Sequence, residues 1–289
     1  MTALQSPHQP TQLSPQSPTG KTVVVNGMNI HFLEAGKRSQ TVTLLLHGWP
    51  TSSHLWRKVM PTLAAEQWVI APDLPGFGDS DKPTEAAFDF NFWVQFIDQF
   101  LDAIKADRVN LVVHDLGGPI GLCWAVNRPE KVAKLVLLNT IVYAKLNWSA
   151  KLFVSMTFLP IISRWMTKPK TVAKIVQLGM QSRLSAEDRS HYAAPFYQEA
   201  ARRTLLLSVR RLKPKDAAEI DKKLTRLTMP VACIYGENDR LLLDVADTMA
   251  KVKRDLPQAE VSSLANCGHF LQEDEPEKLA SAMATFLTV

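Results

Sequence analysis

The chain has 289 residues, 46% of them hydrophobic and 21% charged, and a formal net charge of +5 at pH 7. This composition is typical of a globular protein and excludes a chain that is disordered throughout, and the length suits one domain that carries an insertion. The positive charge is concentrated in one segment, because residues 141–228 contain 17 Lys and Arg against 6 Asp and Glu, while the remainder contains 16 against 22.

The beginning of the chain differs in composition from the rest. Residues 1–20 are rich in Pro, Ser and Gln and contain neither an apolar run nor a basic start, which predicts a disordered tail rather than a signal peptide. Cys123, Cys233 and Cys267 lie within or beside predicted elements, which indicates reduced core residues and a cytoplasmic location. The cysteines and the 7 histidines show no spacing typical of a metal site, so the sequence predicts neither a metal nor a cofactor.

Apolar runs with strand character alternate with helical patterns along most of the chain. The strand-like runs occupy residues 22–26, 29–33, 42–46, 68–71, 109–113, 133–138, 231–235 and 260–264. The helical patterns between them occupy residues 54–63, 92–106, 119–127, 243–254 and 275–286. This alternation predicts an α/β fold with a mostly parallel eight-stranded sheet that is flanked by helices on both faces. The first two runs are joined across Gly27 and predict an antiparallel hairpin.

The alternation stops after Thr140 and returns at Met229. The interval contains helical patterns over residues 151–162, 171–180, 186–192 and 198–211. The sequence therefore predicts a core made of residues 21–140 and 229–289, with a helical cap, residues 141–228, inserted between two strands.

The run at residues 109–113 leads into a turn with an acidic residue at its tip. Asp115 follows the apolar strand, and Gly117, Gly118 and Gly121 allow a helix to begin close to that strand. This is the context of a nucleophile elbow. A carboxylate attacks a saturated carbon and leaves an alkyl ester, so the predicted target is a carbon–halogen or a strained carbon–oxygen bond. The simpler interpretation of Asp115 is a helix N-cap, which would need neither the apolar strand nor the glycines.

Several short motifs accompany this turn in a fixed order. They are His47-Gly48-Trp49-Pro50, Asp73-Leu74-Pro75-Gly76-Phe77-Gly78-Asp79-Ser80, the Asp115 turn, Gly236-Glu237-Asn238-Asp239 and Gly268-His269. Together they resemble the α/β-hydrolase fold, and more narrowly its haloalkane dehalogenase and epoxide hydrolase branch. The resemblance covers roughly residues 22–289 and is weakest in the cap. It implies a cofactor-free hydrolase.

The resemblance implies a catalytic triad in which Asp115 is the nucleophile, Asp239 the acid and His269 the base. His269 would remove a proton from the water that cleaves the ester, and it is not needed to form the ester. Asp239 would hold the tautomer of His269 and stabilise its protonated form.

Residues other than Asp239 are also candidates for the acid of the triad. Some relatives place it after the preceding strand, where this chain reads Leu-Leu-Asn-Thr at residues 137–140 without a carboxylate. Glu237 and Asp244 are other carboxylates near the end of the strand at residues 231–235. Asp239 is favoured because it ends the motif at residues 236–239 that carries the resemblance, and it gives the order nucleophile, acid, base along the chain.

Two groups of donors are implied near the nucleophile. The backbone N–H groups of Leu116 and Trp49 would stabilise the charge that develops on the ester oxygen, and His47 would hold the loop by a hydrogen bond. Haloalkane dehalogenases usually carry a Trp directly after the nucleophile, where this chain has Leu116. The indole N–H groups of Trp49 and of Trp165 in the cap could stabilise the leaving group instead, although each is also explained as a packing residue.

Three other functions remain open beside dehalogenase-like hydrolysis, which is the first choice. Epoxide opening would use cap tyrosines as acids, but Tyr143, Tyr192 and Tyr197 lack the expected spacing from the nucleophile. Cleavage of a β-lactone is the third possibility, since some related enzymes act on such rings. A ligand-binding receptor on the same scaffold is the non-enzymatic alternative.

The cap contains a stretch, residues 152–162, that is apolar on nearly every face. The basic residues that flank it are Lys145, Lys151, Arg164, Lys168, Lys170 and Lys174. The stretch is too short to span a bilayer, and it predicts either a helix that covers the site or a lipophilic entrance on an anionic membrane surface. The predicted partners are a small lipophilic organic substrate and water, with weak contact to an anionic membrane, no nucleic acid, and a monomer or homodimer.

Overall fold

The computed structural model describes residues 17–288, except for the side chains of residues 214–216. Within this range, eight strands form one sheet in the order β1-β2-β4-β3-β5-β6-β7-β8. The strands are β1 (Thr19–Val25), β2 (Met28–Ala35), β3 (Thr41–Leu46), β4 (Trp68–Pro72), β5 (Arg108–Asp115), β6 (Val132–Thr140), β7 (Val231–Gly236) and β8 (Ala259–Leu264). The predicted eight-stranded, mostly parallel sheet is confirmed.

The pairing of the strands brings several chain segments to one edge of the sheet. β1 and β2 form the predicted antiparallel hairpin, β2 also runs antiparallel to β4, and the other neighbouring strands are parallel. Leu46 pairs with Val113, and Asp115 pairs with Thr140. Because parallel strands end at the same edge, the loops after β3, β5, β6 and β7 lie close together, as expected for a site in this kind of sheet.

Helices cover both faces of the sheet, which explains why β3 and β5 are buried along nearly their whole length. In the described residues the helices are α1 (Met60–Leu63), α2 (Phe90–Ile104), α3 (Gly117–Asn127), α4 (Trp148–Phe158), α5 (Pro160–Met166), α6 (Pro169–Leu178), α7 (Ala186–Ala193), α8 (Glu199–Arg210), α9 (Pro214–Lys223), α10 (Val245–Asp255), α11 (Leu271–Asp274) and α12 (Pro276–Thr288). None of them has the length and apolarity needed to cross a membrane.

Proline accounts for the main differences between predicted and observed helices. The predicted helix at residues 54–63 is instead a 3-10 turn, Ser53–Trp56, followed by the short α1, which contains Pro61 in its first turn. The predicted helix at residues 151–162 is divided into α4 and α5 at Leu159, which is extended (φ −82°, ψ 115°) and precedes Pro160. A proline lacks the backbone N–H and disfavours helical geometry in the residue before it. α9 and α11 were not predicted.

The chain between β6 and β7 is helical, and it packs on the edge of the sheet where Asp115 lies. Phe153 of α4 contacts Trp49, with ring centroids 4.8 Å apart. The backbone N–H of His269 donates to the carbonyl of Gly179, which follows α6, at 2.6 Å. We propose that residues 141–228 form the cap of this site.

The structure bears on the predicted N-terminal tail and on the three cysteines. Of the predicted tail, residues 1–16 lie outside the described residues, whereas Thr19 and Gly20 begin β1, so the prediction of disorder is wrong for these two. Cys123, Cys233 and Cys267 are buried and form no disulfide within the described chain.

Candidate active site

Asp115 lies at the tip of a tight turn between β5 and α3. Its φ is +49°, in the left-handed region that few side chains adopt without support from the surrounding fold. A Cβ at Gly117 would lie 2.5 Å from the carbonyl oxygen of Leu46, and one at Gly118 would overlap the hydroxyl of Thr140. Glycine at these positions therefore lets α3 start directly against the sheet. The turn leaves the Asp115 side chain 18% exposed.

The two carboxylate oxygens of Asp115 have different surroundings. Oδ1 accepts a hydrogen bond from the backbone N–H of Trp49 at 2.6 Å. Oδ2 faces His269. Burial by itself would raise the pKa of Asp115, but the hydrogen bond and charge of His269, together with the Leu116 N–H, hold that pKa below its usual range. Asp115 is therefore an ionised carboxylate at neutral pH, with one oxygen held and the other open to react.

His269 lies between two carboxylates. Its Nδ1 is 2.8 Å from Asp239 Oδ2, and its Nε2 is 3.4 Å from Asp115 Oδ2. The side chains of His269 and Asp239 are completely buried. Apart from the Asp115 carboxylate, Nε2 has no hydrogen-bond partner among the described residues. The structure thus brings together the three residues that the sequence predicts as a triad.

The protonation of His269 depends on the charge of Asp115. Burial alone would lower the pKa of His269, but the negative charges of Asp239 and Asp115 raise it to about 10. An ester on Asp115 would remove one of these charges and lower the pKa of His269. A neutral imidazole would then be available as a base.

This coupling predicts that Asp115→Asn lowers the pKa of His269, because the substitution removes a negative charge that faces Nε2. Titration of the imidazole by NMR would measure the change. Asp102→Asn, which removes an exposed carboxylate on α2, serves as the control and should leave the pKa unaltered. An equal pKa for His269 in the wild-type protein and in Asp115→Asn would contradict the coupling.

The raised pKa of His269 also determines how the stability of the folded protein changes with pH. The folded-state pKa of His269 is raised above its ordinary value of 6.5, so the folded state binds the proton more tightly than the unfolded chain. The resulting stabilisation is complete below about pH 6.5 and is lost as the pH rises through about 10.

Asn139, at the end of β6, holds Asp239 in place. Its Nδ2 donates to Asp239 Oδ2 at 2.6 Å, and its Oδ1 accepts from the backbone N–H of Gly236 at 2.9 Å. The other oxygen of Asp239 accepts from the N–H groups of Leu241 and Leu242 at 2.7 and 2.9 Å. Sequence reasoning noticed Asn139 only as a missing carboxylate. The signal in the sequence was a polar residue directly after the apolar run at residues 133–138. The structure shows that this residue is fully buried at the carboxyl end of the strand.

The alternative acids are engaged elsewhere. Glu237 accepts a hydrogen bond from the hydroxyl of Ser263 at 2.7 Å, and Asp244 accepts one from the amide of Asn147. Neither carboxylate contacts His269 in the described structure, which leaves Asp239 as the partner of Nδ1.

Two further histidines fix the loops of the site. His47 accepts from the N–H of Leu74 and donates to the carbonyl of Gly48, both at 3.0 Å, which confirms its predicted role in holding the loop. His114 was not predicted to contribute. Its Nε2 lies 2.9 Å from the carbonyl oxygen of His269, and burial lowers its pKa to about 4. A neutral His114 therefore donates this hydrogen bond and connects β5 to the loop of the base.

The structure does not bring the predicted indole donors to Asp115. The Trp49 Nε1–H donates to the carbonyl of Leu205 in α8 at 3.2 Å, so this donor is already used by the cap. Trp165 lies on the outer surface of α5 and is 56% exposed. Leu116 is 8% exposed, and its contribution to the site is its backbone N–H.

The cap tyrosines also have other partners. The hydroxyl of Tyr143 donates to Asp255 Oδ2 at 2.7 Å, and that of Tyr192 donates to Glu273 Oε1 at 2.5 Å. Tyr197 is 71% exposed. None of the three offers its hydroxyl to Asp115 in the described structure.

One group of side chains has the composition of a metal site. His31, Asp73 and Asp79 lie close together near the loop after β4. However, Asp73 accepts hydrogen bonds from His31 Nδ1 at 2.9 Å and from the backbone N–H groups of Ser53 and Asp79 at 2.6 and 2.8 Å. These three bonds engage both carboxylate oxygens of Asp73, so the group is explained as a hydrogen-bonded support for the loop.

The chain is similar over most of its length to proteins of known family. The family model described as alpha/beta hydrolase fold matches residues 42–276. A haloalkane dehalogenase of Psychrobacter cryohalolentis is 30% identical over 276 residues, which cover 90% of this chain and 88% of that protein. A cis-3-alkyl-4-alkyloxetan-2-one decarboxylase of Shewanella oneidensis is 29% identical over 279 residues, with coverages of 91% and 86%. The solved structure of the epoxide hydrolase CorEH superposes with a TM-score of 0.81 over 94% of this chain and 99% of that chain, at 24% identity, which shows a shared fold.

Proposed function

The chain belongs to the α/β-hydrolase fold family, and from this premise we propose that it cleaves a small lipophilic substrate through a covalent ester on Asp115. In the first step Asp115 Oδ2 attacks a saturated carbon. The bond from Oδ2 to that carbon forms while the bond to the leaving group breaks, and the leaving group takes the electron pair. Oδ1 stays on the Trp49 N–H and becomes the carbonyl oxygen of the ester.

The second step hydrolyses this ester. His269 Nε2 takes a proton from a water molecule, which attacks the carbonyl carbon of the ester. The charge that develops on Oδ1 is stabilised by the backbone N–H groups of Trp49 and Leu116. When the intermediate collapses, the bond from the carbonyl carbon to Oδ2 breaks, and His269 returns the proton to the departing alcohol. The alcohol carries away Oδ2, and Asp115 keeps the oxygen of the water.

The observation that supports this proposal most strongly is the position of His269 between two carboxylates. His269 lies 2.8 Å from Asp239 on one side and 3.4 Å from Asp115 Oδ2 on the other, while Asp115 Oδ1 binds a backbone N–H. This arrangement supplies a nucleophile, an oriented base and a donor for the developing charge within one site.

The surroundings of Asp115 favour some leaving groups over others. Because Trp49 donates to Leu205 and Trp165 is exposed, no indole N–H of these two residues supports the departing group. A halide and the carboxylate of an opened β-lactone are weak bases that depart without a proton. An epoxide oxygen departs as an alkoxide and needs an acid, but Tyr143 and Tyr192 donate elsewhere. We therefore place carbon–halogen cleavage first, β-lactone opening second and epoxide opening third.

We also propose that the reaction takes place in the cytoplasm. The three cysteines are buried and form no disulfide within the described chain, as expected in a reducing compartment. The proposed reaction requires only the substrate and water. The proposed mechanism is compatible with a monomer or a homodimer.

A panel of haloalkanes, β-lactones and epoxides with matched carbon chains would test the assignment. We expect the wild-type protein to release halide and protons from at least one haloalkane, and Asp115→Asn to release neither, with Asp102→Asn as the active control. Halide and pH indicators would follow the reaction. Turnover of β-lactones, without halide release from any haloalkane, would favour β-lactone opening as the reaction. The complete absence of turnover by the wild-type protein would contradict the proposed function and favour a ligand-binding role.

A further inference from the structure

Exposed apolar side chains are concentrated in one segment of the cap. Among the described residues, 11 large hydrophobic side chains are exposed, and 6 of them lie between residues 148 and 165. These are Trp148, Leu152, Phe158, Leu159, Ile161 and Trp165, which we call the outer ridge. Ile161 is 85% exposed and Trp148 is 70% exposed. Large exposed apolar patches with a polar rim mark interaction sites with proteins or membranes.

α4 is apolar on both of its long faces. On the inner face, Phe153 packs against Trp49 and Thr157 is buried, so burial explains its apolar character. On the outer face, Trp148 and Leu152 are exposed, at positions one helical turn apart. A helix that is apolar all round is expected where both faces are removed from water. The outer face of α4 has no such cover within the described chain.

Positive charge surrounds the outer ridge. Residues 131–186 contain 9 Lys and Arg and no Asp or Glu. Lys151, Arg164 and Lys168 are exposed next to the ridge, and none of them forms an ion pair within the described residues. Apolar side chains flanked by unpaired cations are complementary to an anionic lipid surface.

A groove of about 630 Å³ lies beside the outer ridge, between the start of α6 and α8. Its basic residues are Arg164, Lys168, Arg202, Arg203 and Arg210. Glu199 is an acidic residue of the groove, and Leu206 and Leu207 give it an apolar wall. The guanidinium of Arg210 lies 5.3 Å from the centre of the Phe158 ring, which joins the groove to the ridge. Cations beside an apolar wall match a phosphate group that carries acyl chains.

We propose that the outer ridge and this cationic groove bind the surface of an anionic phospholipid bilayer. Ile161 and Trp165 enter the headgroup region, and Arg164 and Lys168 contact the phosphates. The inference goes beyond the proposed reaction and does not depend on it, because it uses none of the triad residues. A bilayer on the outer face of α4 would lie about one helix diameter, roughly 10 Å, from the inner face that touches Trp49.

Co-sedimentation of the full chain with vesicles would test this inference. We expect binding at low salt to vesicles of phosphatidylcholine mixed with phosphatidylglycerol. Binding should be weaker by about tenfold or more on pure phosphatidylcholine, and also at high salt, where the charges are screened. Failure of the wild-type protein to bind the mixed vesicles at low salt would overturn the inference, as would equal binding to both kinds of vesicle.

Matched variants would locate the contact. Ile161→Asp, and separately Arg164→Glu with Lys168→Glu, should each reduce binding to the mixed vesicles by about tenfold or more. Two control variants should bind like the wild-type protein. One is Val24→Asp, at an exposed valine of β1. The other combines Lys37→Glu with Arg108→Glu, at the opposite end of the sheet from Asp115. Equal losses of vesicle binding in these variants and in the control variants would refute the assignment of the outer ridge and the cationic groove as the membrane-binding surface. Asp115→Asn should bind normally, which separates this test from that of the proposed reaction.

Discussion

Replacing Asp115 by alanine is expected to reduce kcat/KM by about ten-thousand-fold or more, because the group that forms the ester is removed. Asp239 and His269 remain in place, but they have no ester to hydrolyse. Asp115→Asn should have a similar effect, since a carboxamide is a poor nucleophile. Asparagine tolerates the left-handed backbone at this position, where φ is +49°, so this variant should keep the fold.

The two interpretations of Asp115 predict different results for these variants. A residue that only caps α3 would affect stability by about 1 kcal/mol and leave activity intact. In the structure the N-cap position of α3 is Leu116, with no side-chain capping bond, so Asp115 does not have this role. Steady-state kinetics and thermal unfolding of Asp115→Asn should show lost activity and near-normal stability. Retained activity would contradict a nucleophilic role for Asp115.

Replacing His269 by glutamine is expected to stop the reaction halfway. Ester formation needs the Asp115 carboxylate and its N–H donors, which the substitution leaves in place. Ester hydrolysis needs a base at the position of Nε2, which glutamine does not supply. The variant should therefore accumulate the covalent ester, with one leaving group released per protein chain and no steady turnover.

Mass spectrometry of the peptide that contains Asp115 would detect this ester. For a haloalkane the expected result is a mass increase on Asp115 equal to the alkyl group less one hydrogen, and for a lactone or an epoxide it is the mass of the whole substrate. The double variant Asp115→Asn with His269→Gln is the control and should remain unmodified. Two results would contradict the assignment of ester formation to Asp115 and of ester hydrolysis to His269. One is steady turnover by His269→Gln. The other is an unmodified peptide after incubation with a substrate that the wild-type protein cleaves.

The sheet could be predicted from sequence because its central strands contain short apolar runs. Residues 44–46 of β3 and 111–113 of β5 are apolar and buried, and the following turn residues define where these strands end. The helices were harder to delimit, because an apolar pattern continues across a break in the backbone. Residues 151–162 show one helical pattern, yet Pro160 divides the segment into α4 and α5.

The positions of the three triad residues could be predicted because each stands at the end of a strand or in a loop with a recognisable pattern. Asn139 and His114 could not be assigned in the same way. Their importance depends on contacts with residues far away in sequence, such as the bond from Asn139 to Asp239 and that from His114 to the carbonyl of His269. The direction of the Trp49 indole also depends on a distant partner, Leu205 of α8, which no local pattern reveals.

Heavy-oxygen labelling in a single turnover tests the covalent mechanism most directly. Excess protein would react with substrate in heavy-oxygen water, and mass spectrometry would then examine both the alcohol and the peptide that contains Asp115. We predict that the heavy oxygen enters the carboxylate of Asp115 and that the alcohol carries ordinary oxygen, because water attacks the ester carbonyl. Heavy oxygen in the alcohol and none in Asp115 would show that water attacks the substrate itself, and would contradict the mechanism.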